Sequence, residues 1–191
     1  MTSPVAQADE LRLSDMKTRL GALALAVPVA LTTLIGCSMT DDRSDDVPFA
    51  GTSTSSEAAD AMEKVSSALY ELIGVKGKAS ESRSGVMACA GKDAKTYFRV
   101  FHPWSFRPES ASDLEVAMER LRTELPKHGW KVVSYGPDTS RNKNINLVAD
   151  NDEKKAGVKI IKMAKSDPPM LSVDLVSGCY KAPDGQEVER F

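Results

Sequence analysis

"KTYFRVFH", residues 95–102, alternates Tyr97, Arg99 and Phe101 against Phe98, Val100 and His102. That two-residue period belongs to a strand with two unlike faces, not to a helix. Upstream, "SRSGVMACA" (residues 82–90) is a second short apolar run. Gly91-Lys92-Asp93 between the two runs predicts a hairpin. Downstream, "PWSFRPES" (residues 103–110), with its two prolines, predicts a loop leading to a helix.

Helices flank this hairpin in the chain. Ala58, Ala61, Met62, Val65, Ala68, Leu69 and Leu72 recur at helical spacing. Thr54 with Glu57 predicts a capping box at the start, and Gly74 a stop. After the loop, Leu114, Ala117, Met118, Leu121 and Leu125 predict a second helix, opened by a Ser112–Glu115 capping box and ended by Pro126 and Gly129.

Four further strands are predicted at about residues 130–135, 144–150, 156–163 and 170–177. Gly136-Pro137-Asp138, Asp150-Asn151-Asp152 and Asp167-Pro168-Pro169 supply the turns. The order α-β-β-α-β-β-β-β, with short links, predicts an α+β fold. Its expected form is a two-layer sandwich, a mainly antiparallel sheet of about six strands with two helices on one face. No internal repeat and no second domain is visible.

The N-terminal region has another character. Leu20 to Gly36 contains no charged residue and follows Lys17 and Arg19. A basic flank before a short apolar run is the layout of a secretory signal. A spanning helix is the alternative, but it needs about 20 apolar residues, and Pro28 interrupts the run. Leu34-Ile35-Gly36-Cys37 resembles the lipobox of bacterial lipoproteins. The resemblance implies cleavage before Cys37, a diacylglyceryl group on its thiol, acyl chains such as palmitate, and anchoring on the extracytoplasmic face of the cell membrane. More than one acyl chain gives a stable anchor.

The expected organisation is therefore a signal peptide at 16–36, a flexible acidic and Ser/Thr-rich tether at 37–56, and a single domain at 57–191. Residues 1–15 carry Asp9, Glu10 and Asp15, which a signal avoids, and are expected to be an extension from a misplaced start. The layout after Cys37 also resembles small actinobacterial lipoproteins of unknown function.

Cleavage before Cys37 would leave 155 residues, about one domain. The net charge is −2 for the whole chain and stays so after cleavage, which gives no case for nucleic acid binding. Cys89 and Cys179 then remain. Outside the cytoplasm, such a pair reads as a disulfide joining the first and last strands. There is no C-x-x-C, and His102 and His128 are the only histidines, so no metal and no cofactor is predicted.

Two clusters are candidate binding surfaces. Trp104, Phe106 and Arg107, beside His102, could stack a sugar or a proline-rich segment; the plainer alternative is that the aromatics plug the core. Lys155, Lys159 and Lys162, in one predicted hairpin, could form a basic stripe facing anionic lipid or a wall polymer; the plainer alternative is a solvated face. No P-loop, dinucleotide fingerprint, zinc-protease or nucleophile-elbow motif is present, and no catalytic residue is assigned. The expected function is a monomeric, non-catalytic binding or interaction module at the cell envelope, whose partner is an envelope protein or wall polymer. The alternative is a small envelope hydrolase using the loop around His102 and Trp104.

Overall fold

The structure is a computed structural model that describes residues 47–191. The signal-like run, Cys37 and the first part of the expected tether lie outside the described residues. No helix among the described residues is long and apolar enough to cross a membrane.

The described chain is α+β. Its strands are β1 (Phe49–Thr52), β2 (Gly77–Ala79), β3 (Gly85–Ala88), β4 (Tyr97–Pro108), β5 (Lys131–Pro137), β6 (Ile145–Asn151), β7 (Ala156–Met163), β8 (Met170–Ser177) and β9 (Cys179–Lys181). The helices are α1 (Ser55–Ile73) and α2 (Asp113–Glu124), the latter continued by a 3-10 turn at Leu125–His128. The strands form one sheet whose pairings link β1-β9-β4-β8-β7-β6-β5 in series, with β2 and β3 also paired to β4. All pairings are antiparallel except β1 with β9. The sheet is thus mainly antiparallel, as expected. It differs from the expected six-stranded sandwich in having nine strands and in curling into a half-barrel.

The three unexpected strands, β1, β2 and β9, are only three or four residues long and carry little pattern of their own. β1 corrects the expected tether, because Phe49–Thr52 is a strand and Ser55 already belongs to α1. Tertiary pairing holds β1 in place. The Cys179 amide donates to the Pro48 carbonyl at 2.8 Å, and the Ser53 amide donates to the Lys181 carbonyl at 3.0 Å. Gly178 permits the approach: a Cβ there would lie 2.3 Å from the Pro48 oxygen.

β4 corrects the expected loop at 103–110, since it runs on through the prolines to Pro108. Along one edge it pairs β8 and β9; along the other it pairs β3 at Phe98 to Phe101 and β2 at Phe106 to Pro108. The second edge has a gap. Ser105 points its amide and carbonyl to that edge, where both bond Ser80. Pro103, two residues earlier, directs its nitrogen the same way and has no proton to offer. No strand pairs there, and residues 80–84 run outside any strand. The proline that suggested a loop instead interrupts one edge of a central strand.

The core lies between the helices and one face of the sheet. Phe98, Val100, Trp104 and Phe106 of β4 join Leu171, Val173 and Leu175 of β8 and Val158 and Ile160 of β7. Met62, Leu69 and Ile73 of α1 and Leu114, Met118 and Leu121 of α2 cover them. Thr54 and Glu57 form the expected capping box, and Gly74 takes the left-handed conformation at φ 66°. The buried stripe of α1 is Ser55, Ala58, Ala59, Met62, Ser66, Leu69 and Ile73, which leaves the expected core positions Ala61 and Ala68 exposed. The capping box expected for α2 does not form. Ser112 bonds the Ser110 hydroxyl, and Glu115 pairs with Lys162 instead.

Cys89 and Cys179 are joined as expected, with Cα atoms 6.0 Å apart. Their placement corrects one detail. Cys89 follows β3 and Cys179 opens β9; these two strands flank β4 and are not each other's neighbours.

Candidate functional site

The gap beside Pro103 opens a crevice of ≈ 390 Å³ between α1, residues 79–82 and β4. The volume is at the small end of ligand pockets, which span about 300–1,000 Å³. Glu63, Ser66, Ser67, Tyr70 and Glu71 line it from α1, and His102 and Trp104 from β4. Ser66 explains why the space exists. It continues the buried stripe four residues after Met62 and three before Leu69, yet it is small where its neighbours are large. The stripe therefore lacks bulk opposite Trp104 and His102.

His102 and Trp104 share the helix-facing side of β4, being two residues apart on a strand. They are only 9% and 8% exposed. The His102 Nε2 lies 3.3 Å from the Ser82 carbonyl. A carbonyl only accepts, so Nε2 carries the proton and, in the neutral ring, Nδ1 holds a lone pair. Among the described residues neither that Nδ1 nor the Trp104 indole Nε1 has a hydrogen-bond partner, and both are shut off from solvent. One is an acceptor and the other can only donate. A buried polar group left unpaired costs about 1–3 kcal/mol, so two cases on one face of β4 are a feature to explain.

The other walls are ordered by local contacts. The Ser84 amide donates to Glu63 Oε1 at 3.3 Å, which ties the segment after Ser80 to α1. The Ser67 hydroxyl donates back to the Glu63 carbonyl at 2.9 Å. The Tyr70 ring packs at 6.2 Å from Trp104 and 5.9 Å from Phe106, centroid to centroid, and remains 37% exposed at the crevice.

The expected aromatic cluster is divided by the strand's alternation. Trp104 lines the crevice, while Phe106 is fully buried and plugs the core. Arg107 lies on the opposite face of β4 and lines a separate hollow of ≈ 460 Å³ with Lys78 and Glu109.

The lysines do not converge into a basic stripe, which corrects that expectation. Lys155 and Lys159 border a shallow hollow of ≈ 860 Å³ on the other face of the sheet, together with Asp150, Asp152 and Asp174. Lys159 sits in register with Asp174, which places an opposite charge on the neighbouring strand. Lys162 turns the other way and pairs with Glu115 of α2. In that hollow Arg99 Nε donates to the Ser177 carbonyl at 2.8 Å, and burial pushes its guanidinium pKa down.

Ser66, Tyr70, Glu63 and Glu71 are absent from the sequence-derived candidates. A signal was available for Ser66: it is a serine inside the apolar stripe once that stripe is centred on Met62, Leu69 and Ile73. Among the described residues, no group of three or more His, Cys, Asp or Glu side chains is arranged to hold a metal. Among the described residues, His102 has no hydroxyl, thiol or carboxylate among its hydrogen-bond partners. No family model matches the chain, and no curated protein or solved structure matches it.

Proposed function

We propose that this chain is an extracytoplasmic lipoprotein, tethered to the cell membrane through Cys37, whose domain is a non-catalytic binding module at the cell envelope. The α1–β4 crevice is its binding site. The observation that carries the binding reading is the crevice itself, where Glu63, Ser66, Tyr70 and Glu71 of α1 meet His102 and Trp104 of β4. Leu34-Ile35-Gly36-Cys37 after a basic flank supports the tether. The Cys89–Cys179 bond supports an oxidising compartment, where such bonds persist.

The tether is tested by growth with labelled fatty acid and by fractionation. The wild-type chain incorporates label and sediments with membranes; Cys37→Ala loses the label and becomes extractable under mild conditions. A Cys37→Ala protein that stays membrane-bound would assign anchoring to residues 20–36 and overturn the lipid reading. The binding site is tested with a library of small polar compounds, followed by NMR of the two indole N–H groups. A compound that moves the Trp104 indole saturably, with the Trp130 indole as internal control, supports the crevice. A library in which none does so contradicts it.

A further inference from the structure

We infer that the hollow where β2 pairs the far end of β4, with Lys78 and Arg107 side by side, binds a phosphate group. This site is separate from the α1–β4 crevice and goes beyond the function proposed for it.

Strand pairing creates the site. β2 and β4 run antiparallel, with Lys78 directly opposite Arg107. Directly opposite residues share a face of the sheet, with Cβ atoms about 5 Å apart. Gly77 lets the strands approach, because a Cβ there would collide with the Arg107 carbonyl oxygen. Like charges directly opposite each other destabilise a strand pair. Neither cation forms an ion pair among the described residues. Two positive charges are thus held together without a carboxylate to bridge them.

The acid in the hollow does not cancel this charge. Glu109 is the one carboxylate among its lining residues. Gly77 faces Pro108, so the next position sets Glu109 against Lys76, and the Glu109 amide donates to the Lys76 carbonyl at 3.0 Å. Lys76, Lys78 and Arg107 together outnumber Glu109, which selects an anion over a cation.

The donors select the kind of anion. Arginine presents a fork that takes two oxygens of one phosphate, and lysine adds a point charge. Ser80 and Ser105 line the same hollow. The Ser105 amide donates to the Ser80 hydroxyl oxygen at 3.0 Å, which leaves Ser80 its own proton to give. These serines stand two residues along from the cations, roughly 6–7 Å away, so donors reach the hollow from more than one side. A tetrahedral phosphate turns oxygens towards each of them, whereas a carboxylate has two oxygens in one plane. The hollow of ≈ 460 Å³ admits a phosphate with a small group attached.

Position favours a soluble phosphate ester over a lipid headgroup. The proposed tether enters at β1, which pairs β9, and β9 pairs β4 at Phe98. Arg107 lies about 30 Å further along that strand.

The test is an NMR titration of the 15N-labelled full chain in neutral detergent micelles with inorganic phosphate and glycerol 3-phosphate. Acetate at equal ionic strength is the comparison. The expected result is saturable movement of the Arg107 Nε–H and the Ser105 amide by a phosphate compound and not by acetate, weakening as salt is raised. Arg107→Ala and Lys78→Ala, read at the Ser105 amide, should each weaken binding at least tenfold, with unchanged amide spectra elsewhere verifying the fold. The full chain in phosphatidylcholine nanodiscs, with and without phosphatidylglycerol, separates the sources. Movement by the soluble compounds assigns a soluble ester; movement only on adding phosphatidylglycerol keeps the phosphate site and assigns a headgroup. Equal movement by acetate and phosphate overturns the inference, and so does no movement in either arm. Neither result bears on the crevice, which is read at the Trp104 indole.

Discussion

Cys89 and Cys179 are bonded across β4: their Cα atoms are 6.0 Å apart, while the strands they adjoin pair with opposite edges of that strand. Phe98 sits between them in register, opposite Ala88 on one side and Tyr180 on the other. The bond therefore clamps the end of the central strand, where Phe98 is fully buried and stacks on Tyr180 at 5.5 Å.

Removing this clamp is predicted to cost about 2–5 kcal/mol, since a bond closing a long loop restricts the unfolded chain. The Cys89→Ala, Cys179→Ala double variant should show a correspondingly lower denaturant midpoint. Thiol labelling of the unfolded wild-type domain without reductant should find no free thiol at either position. Two reactive thiols would contradict the clamp.

Gly178→Ala is predicted to detach β1. A methyl group there would lie 2.3 Å from the Pro48 oxygen, so one of the two backbones must shift. Amide exchange at Cys179 and Ser53, whose N–H groups bond Pro48 and Lys181, should accelerate in the variant. Unchanged protection at both would show that β1 tolerates the side chain.

Phe106 and Arg107 are adjacent but should respond oppositely to substitution. Phe106 is fully buried, and replacing it by alanine should cost about 3–5 kcal/mol. Arg107 is exposed on the other face and makes no ion pair within the described residues. Its alanine variant should stay within about 0.5 kcal/mol of wild type. Equal effects in thermal or denaturant unfolding would contradict the alternation of β4.

Asp138 organises the turn between β5 and β6. The Ser140 hydroxyl holds its carboxyl below the usual carboxylate range, helped by bonds from the Ser140 and Asn144 amides. A carboxyl depressed on folding stabilises the fold above its unfolded value, near pH 4. That contribution is lost as the pH falls through the lower, folded value. The stability difference between wild type and Asp138→Asn should be constant at neutral pH and shrink as the solution is acidified below about pH 4. A difference that grows on acidification would reverse this assignment.

How far the sequence reveals this molecule depends on whether the determining contacts are local. β7 and β8 occupy the expected residues 156–163 and 170–177, because alternation and turn chemistry both lie within the segment. β1, β2 and β9 are too short to carry a period and exist through pairing with distant strands. Residues 103–108 misled for a specific reason: proline disfavours a paired strand, yet Pro103 faces a gap between β2 and β3 where that edge of β4 has no strand partner. His102 and Trp104 were legible as a cluster, but not their crevice. It needs Ser66 and Tyr70 from α1 and Ser82 from the intervening segment, brought together only by the fold.

The most direct test of the binding module is what the protein carries out of the envelope. Wild type and Ser66→Leu are purified in parallel from their own membranes, denatured, and the released small molecules compared by mass spectrometry. A small molecule enriched with wild type and missing from Ser66→Leu is the predicted result. Identical profiles from the two proteins, with both folded, would contradict the claim that the α1–β4 crevice holds a ligand.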